Sequence, residues 1–291
     1  MKNQHVPVLL SEVLAALQPK PHESYLDLTA GYGGHAKSIL DVTLNYKDSV
    51  LVDRDEFAIE NLKTKFKGKG ITTMNTDFYS AVLQLIECGK TFDIILADFG
   101  VSSPQLDNDE RGFSYHHDGP LDMRMDRRQS LTAAKIVNHW SERDLCDIFM
   151  RYGEEKPGRA KMLAREIVTH RPIDTTKQLA DLILSKSRYS HTHPAAPVFQ
   201  AIRIAVNDEL REIEKTLPIL PKLLNPNGRV GIITFHSLED RLVKDYFKAA
   251  TSYGEESELI LNTKKPIVAG PNELVINPRA RSAKLRVATR H

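Results

Sequence analysis

Apolar residues at 6, 9, 10, 13, 14 and 17 recur at helical spacing and Pro19 and Pro21 end the run, so residues 5–17 are predicted as a leading helix packed on a sheet. A different rhythm follows. Tyr25-Leu26 is a short apolar run closed by Asp27, residues 49–53 form a second closed by Asp53, 71–75 a weaker third, and Phe92–Asp98 a fourth with a carboxylate at its end. Helical patterns separate them. One reaches Leu44, one covers 56–66 with Phe57, Ile59, Leu62 and Phe66 inward, and one covers 83–88 with Gly89 as its cap. Strands alternating with helices predict an α/β fold with a parallel, doubly wound sheet.

The alternation breaks after Gly100. Residues 101–128 hold polar residues, glycines, Pro104 and Pro120 but no strand pattern, and a loop of that length is usually functional. Helical patterning covers 130–170, 176–187 and 199–210. A proline-interrupted helix over 209–224 then leads to a fifth strand at 229–235, a helix to Lys248, and tail strands near 259–261 and 283–288. The pattern therefore predicts one α/β domain, 1–109 with 211–291, interrupted by a mainly helical domain at 110–210.

Composition narrows the setting. The 291 residues suffice for a sizeable core, and a net charge of +2 leaves any nucleic-acid role to local patches. Cys88 and Cys146 match no zinc or redox spacing, and there is no apolar run of membrane-spanning length and no secretory leader. A cytoplasmic protein with reduced thiols and no membrane association is expected.

The candidate chemistry sits at the strand ends. In Asp27-Leu-Thr-Ala-Gly-Tyr-Gly-Gly-His35, Gly31, Gly33 and Gly34 allow close backbone approach before a helix start, whose free N–H groups face a ligand. Asp53 lies about 20 residues on, where such sheets place the acid that grips a ribose diol. Gly31, Gly33 and Ala36 also fit a dinucleotide loop, but Asp27 beside it repels a pyrophosphate and attracts an ammonium. A nucleoside carrying an amino acid is the better match, so S-adenosylmethionine is the expected cofactor. Methyl transfer to an exocyclic amine needs acceptors that hold the nitrogen in line, and Asp98, Ser102, Ser103 and the backbone around Pro104 are groups of that kind. The stretch 112–126, with Arg124, mixes aromatics, histidines and arginines suited to stacking on an extruded base. His236, Glu239 and Asp240, after the fifth strand, are candidates to contact the substrate or to order the Asp98 loop; the alternative is that Ser237 with the two acids only starts a helix. Arg279, Arg281, Lys284 and Arg286 form an acid-free basic run that would neutralise phosphates from one strand face. His116-His117 and His191-x-His193 lack a third ligand, so no metal is expected.

Together these stretches resemble the bacterial small-subunit ribosomal RNA cytosine-N(4) methyltransferase family along nearly the whole chain. The resemblance rests on Asp27-x-Thr-x-Gly-x-Gly-Gly-His35, Asp53-Arg-Asp55, Gly100-Val-Ser-Ser-Pro-Gln-Leu-Asp107, Asp118-Gly-Pro-Leu-Asp-Met-Arg-Met-Asp126, Phe235 to Arg241 and Asn277-Pro-Arg-Ala-Arg-Ser282, with His5-Val-Pro-Val at the start. It implies a class I methyltransferase (Rossmann-like) core with an inserted helical domain for RNA. The implied substrate is a cytidine in the decoding region of 16S rRNA, on small ribosomal subunits, and a homodimer stays open. It implies cofactor contacts from Gly33, Gly34, His35, Asp53, Asp98 and Gln105, and an aromatic after the third strand, Phe78 or Tyr79 with Phe78 preferred, stacking on adenine. The chain departs from the pattern at His193-Pro-Ala-Ala-Pro197, where the family commonly carries an arginine.

Overall fold

A computed structural model describes residues 7–187, 193–251 and 258–291. Residues 5 and 6 of the leading helix and His191 lie outside the described residues. The chain forms two compact units, residues 1–100 with 210–291, and residues 101–209.

The first unit is built on a seven-stranded sheet. Its strands are β1 (Tyr25–Asp27), β2 (Val50–Asp53), β3 (Thr72–Asn75), β4 (Phe92–Asp98), β5 (Leu224–Thr234), β6 (Leu259–Leu261) and β7 (Lys284–Arg290), in the order β3-β2-β1-β4-β5-β7-β6. The first five run parallel; β7 is antiparallel to both β5 and β6. Strand alternation divides the apolar residues between two cores. Leu26, Val50, Val52, Ile95 and Ile232 face one side, and Tyr25, Leu51, Ile94, Leu96 and Ile233 the other. Both faces are dry, which is why these strands read as continuous apolar runs.

The second core is covered by α1 (Leu10–Leu17), α2 (Gly34–Thr43) and α3 (Glu56–Lys65). The first is covered by α4 (Phe78–Glu87) and α12 (Ser237–Ala250), together with a 3-10 segment at Leu217–Leu223. Order reverses between β1 and β4, and Asp27, Asp53 and Asp98 stand at the carboxyl ends of three adjacent strands there.

Several boundaries differ from the sequence pattern. α4 starts at Phe78, five residues before 83, because Asp77 accepts the Ser80 N–H and caps it. Phe57 points outward, 54% exposed, while Ala58, Ile59 and Leu62 make the buried stripe of α3. A short helix, α13 (Pro271–Ile276), and a 3-10 turn at Pro278–Ser282 occupy the tail before β7. Arg279 and Arg281 therefore sit on that turn and share no strand face with Lys284 and Arg286.

The second unit packs α6 (Ala133–His139), α7 (Glu142–Arg151), α8 (Pro157–Thr169), α9 (Thr176–Ser185) and α10 (Ala196–Asn207) around one apolar core. The chain enters it through the short α5 (Ser103–Asp107) and a 3-10 turn at Asp109–Arg111; α11 (Glu209–Thr216) begins where it leaves. The irregular segment from 112 to 131 is ordered by polar clamps. The buried Arg111 guanidinium donates to the carbonyls of Arg124 and Met125. Asn207, 2% exposed, accepts the Met125 N–H and donates to the Met123 carbonyl. No helix among the described residues is long and apolar enough to cross a membrane.

Candidate active site

The loop after β1 is shaped by contacts that exclude side chains. Gly33 has φ +69°, and a Cβ there would stand 2.8 Å from Leu62 Cδ2; at Gly34 it would stand 2.5 Å from Pro7 Cγ. With glycine at both places, the loop lies flat on α3 and the N-terminal segment. Gly33 is the N-cap of α2 and brings no capping side chain, so no side-chain cap occupies the first-turn N–H groups of α2. Lys65 closes the other side by donating to the carbonyls of Tyr32 and Gly33.

Around this loop stand three carboxyls whose surroundings all disfavour ionisation. Asp53 accepts the Gly31 N–H at 2.7 Å and the Asp55 N–H at 2.8 Å; burial still pushes it up to about 6. Asp27, 1% exposed, takes the Tyr25 hydroxyl at 2.7 Å and the Thr29 N–H at 3.2 Å, yet burial raises it to about 7. Asp98 is pushed well above the usual carboxylate range by burial, then by the charges of Asp27 and Glu239. Its Oδ1 is buried with no hydrogen-bond partner among the described residues, and 26% of the side chain stays open. Oδ2 lies 3.8 Å from Nε2 of the buried His35. Excess carboxylate held in low dielectric is a site that gains from an incoming cation.

The aromatic after β3 is placed as well. Phe78 opens α4 and its ring lies 5.4 Å from that of Phe99, the residue after Asp98. The ring of Tyr79 lies instead under the Lys215 ammonium, 5.3 Å away.

A sequence model of the MraW methylase family matches residues 2–291. The chain belongs to that family. It is also 47% identical over 290 residues to the ribosomal RNA small subunit methyltransferase H of Trichodesmium erythraeum, covering 98% of both chains. The protein of that name from Synechocystis sp. is 47% identical over 295 residues, covering 98% of this chain and 92% of its own. A putative rRNA methylase structure from Clostridium thermocellum aligns over 99% of this chain and 100% of its own, at 9% identity and TM-score 0.48.

As an MraW-family methylase the protein is a methyltransferase, with S-adenosylmethionine as methyl donor. The strand tips fit that donor: the buried Oδ1 of Asp98 has no hydrogen-bond partner among the described residues, the glycine loop bars side chains, and the clustered acids suit a molecule bearing ammonium and sulfonium charges.

Other residues picked out by the sequence have definite structural duties in this methylase. Ser102 is the N-cap of α5, with Ser103 and Pro104 in its first turn, and Gln105 completes a capping box by accepting the Ser102 N–H at 3.0 Å. Arg124 is bidentate on Asp122, at 2.7 and 2.9 Å, and donates to the carbonyls of Arg127 and Gln129, so it orders its own loop. His236, and not Ser237, caps α12, in a reciprocal box with Glu239. Lys284 and Arg286 do not form a free phosphate-facing stripe; both are ion-paired with Asp240, at 2.9 and 2.8 Å. Of the histidine pair, His116 packs on the Tyr115 ring, 4.4 Å between centroids, and His117 lies 3.9 Å from Asp109.

Tyr25 escaped the sequence reading, and Glu239 entered it only as a candidate substrate contact, a support for the Asp98 loop or a helix-starting acid. Tyr25 donates to Asp27 from two residues earlier on the same strand face, a Tyr-x-Asp spacing that was there to be used. Glu239 is 0% exposed and accepts the Phe235 N–H at 2.8 Å and the His236 N–H at 3.3 Å, fixing the turn after β5. No local signal marks that carboxylate as buried, since an acid in a first helical turn is ordinarily solvated.

Proposed function

We propose that this methyltransferase modifies the exocyclic N(4) of a cytidine in the decoding region of 16S rRNA, acting on small ribosomal subunits in the cytoplasm. The observation that carries the reading is the carboxyl cluster at the tips of β1, β2 and β4, with one oxygen of Asp98 left for a ligand. The names of relatives 47% identical over nearly the whole chain supply the substrate class. Asp53 is the acceptor for the ribose diol, already oriented by the Gly31 and Asp55 N–H groups. Phe78 offers the face for adenine. Asp27 keeps the loop in register and adds its charge to the field that attracts the ammonium.

When bound, the donor supplies an electrophilic methyl group on a sulfonium sulfur. The chain's part is positional. Asp98 accepts a hydrogen bond from the target amine, turning the nitrogen lone pair toward the methyl, and His35 beside it limits the directions that carboxyl can take. Ser102, Ser103 and Pro104 are assigned to the same task of seating the amine, through the capped turn of α5. The inserted unit, with the loop that Arg124 orders, is assigned to the RNA, whose target base leaves its stack before reaction; His236 of the α/β unit is assigned separately to a substrate contact. Gln105 is assigned to the cofactor as well, from the α5 turn that it holds after Asp98 and Gly100.

The test is incubation with labelled S-adenosylmethionine and small subunits from cells lacking the activity, followed by mapping of the modified base. Label on one cytidine of the decoding region is the expected result. Label on a protein, on another base, or nowhere on the subunit contradicts the proposal.

A further inference from the structure

β1 leaves the sheet before its neighbour β4 does. The Leu28 N–H still donates to the Leu96 carbonyl at 2.9 Å. In a parallel ladder the next rung would take the Asp98 N–H back to a main-chain carbonyl of the β1 chain. By then that chain has swung toward β2, where the Ala30 N–H donates to the Val52 carbonyl at 2.8 Å. The Asp98 N–H is received instead by a side chain, the Thr29 hydroxyl, with Oγ1 at 2.5 Å. On the far side of β4 the ladder goes on unbroken, with the Phe99 N–H on the Ile233 carbonyl at 3.0 Å.

Thr29 also reaches the acid on its own strand. Its N–H donates to Oδ1 of Asp27 at 3.2 Å, while Oδ2 takes the Tyr25 hydroxyl at 2.7 Å. One half-buried residue thus grips two strand tips, Asp27 with a main-chain donor and Asp98 with a side-chain acceptor. Its place gives the second bond its consequence. In the functional reading, the loop that follows Thr29 holds the methyl donor and Asp98 orients the amine. The two reacting partners therefore hang on adjacent strands, at the point where the main-chain ladder between them has run out. In-line transfer needs those supports at a fixed offset, since a misplacement of about 1 Å can lower a rate by about a hundredfold.

Resting on the functional reading above, we infer that Thr29 is a positioning residue for methyl transfer, its hydroxyl fixing the Asp98 end of β4 against the loop that holds the donor. It acts through Asp98. The hydroxyl replaces a main-chain rung, so the loop is free to leave the sheet and the acid stays in register.

The experiment compares the wild type, Thr29→Val, Thr29→Ala, Thr29→Ser and Asp98→Ala. It reads single-turnover methyl transfer over a series of small-subunit concentrations, S-adenosylhomocysteine affinity by calorimetry, and circular dichroism. Valine fills the space of threonine but leaves the Asp98 N–H unpaired, and alanine removes the hydroxyl without placing a methyl in its stead. Both are expected to lower the saturated rate by about ten- to a hundredfold, with the half-saturating subunit concentration and the S-adenosylhomocysteine affinity within about threefold of wild type. Serine keeps the acceptor and is expected to restore the rate to within about threefold. Should Thr29→Val lose its native circular dichroism, Thr29→Ala carries the comparison. Wild-type rates in Thr29→Ala or in a folded Thr29→Val would overturn the inference. So would a loss of S-adenosylhomocysteine affinity in step with the rate, or a serine variant no faster than alanine. A wild-type rate in Asp98→Ala brings down the functional reading first, and this role with it; a slow Asp98→Ala beside fast Thr29 variants brings down this role alone.

Discussion

The polar clamps of the inserted unit and the strand-tip acids of the α/β unit are treated in opposite ways. In residues 101–209 the clamps are satisfied: Arg111, Arg124 and Asn207 put their donors on carbonyls or carboxylates. Asp122, held by Arg124, lies below the usual carboxylate range as a result. In the α/β unit, Asp27, Asp53 and Asp98 stand at adjacent strand tips, and all three are pushed up, chiefly by burial, although the Arg54 charge acts on Asp53 in the other direction. A fold keeps such uncompensated groups where a ligand completes them. The lesson is a division of labour: the clamps of the inserted unit hold shape, and the strand tips of the α/β unit hold carboxyls in readiness for a ligand.

The sharpest way to break that contrast is to remove one acid from each side. Asp98→Ala is expected to reduce methyl transfer by about a hundredfold or more, the scale for losing an essential transition-state contact. Its thermal stability should not fall, because the carboxyl it loses is destabilised in the fold. Single-turnover assays with saturating small subunits read the first effect and denaturation the second. Asn207→Ala should do the reverse. It strips the buried bonds to Met123, Met125 and Arg203, and should lower unfolding free energy by about 2–3 kcal/mol while S-adenosylhomocysteine affinity stays unchanged.

A pH series sharpens the comparison by sign. Asp53 and Asp27 sit at about 6 and about 7 in the fold, against roughly 4 unfolded, so the native chain holds more protons across that window. Without donor, their contribution to stability falls as pH rises from about 4 through about 7 and then levels off. Asp122 runs the other way: its depressed value gives stability that is present above the unfolded range and lost as pH falls. Urea denaturation of Asp53→Asn and Asp122→Asn between pH 4 and 8 separates them. The first should flatten the decline toward neutral pH, and the second should remove a gain that the wild type keeps. The smallest expected effect is Phe57→Ala. Its ring is outside the core, so midpoint stability should move by no more than about 0.5 kcal/mol; a loss of several would return Phe57 to the buried stripe.

Much of the α/β unit could be read from residues because its signals are local. An apolar run ending in an acid marks β1, β2 and β4, and glycines that bar side chains mark the loop. The failures share one cause, which is tertiary choice between locally equal options. Phe57 and Ala58 can each lie on the inner face of α3, and packing takes the smaller. Lys284 and Arg286 look like a free basic stripe until Asp240, far away in sequence, arrives from α12. Residues 271–276 have too few positions to show a helical period, so α13 passed unseen.

The most direct test of the central claim is a crystal structure of the protein grown with S-adenosylhomocysteine. The account predicts the ribose diol within hydrogen-bond distance of Asp53, adenine against Phe78, and the sulfur end toward Asp98. A molecule lodged elsewhere, or those three residues untouched beside clear ligand density, would contradict it.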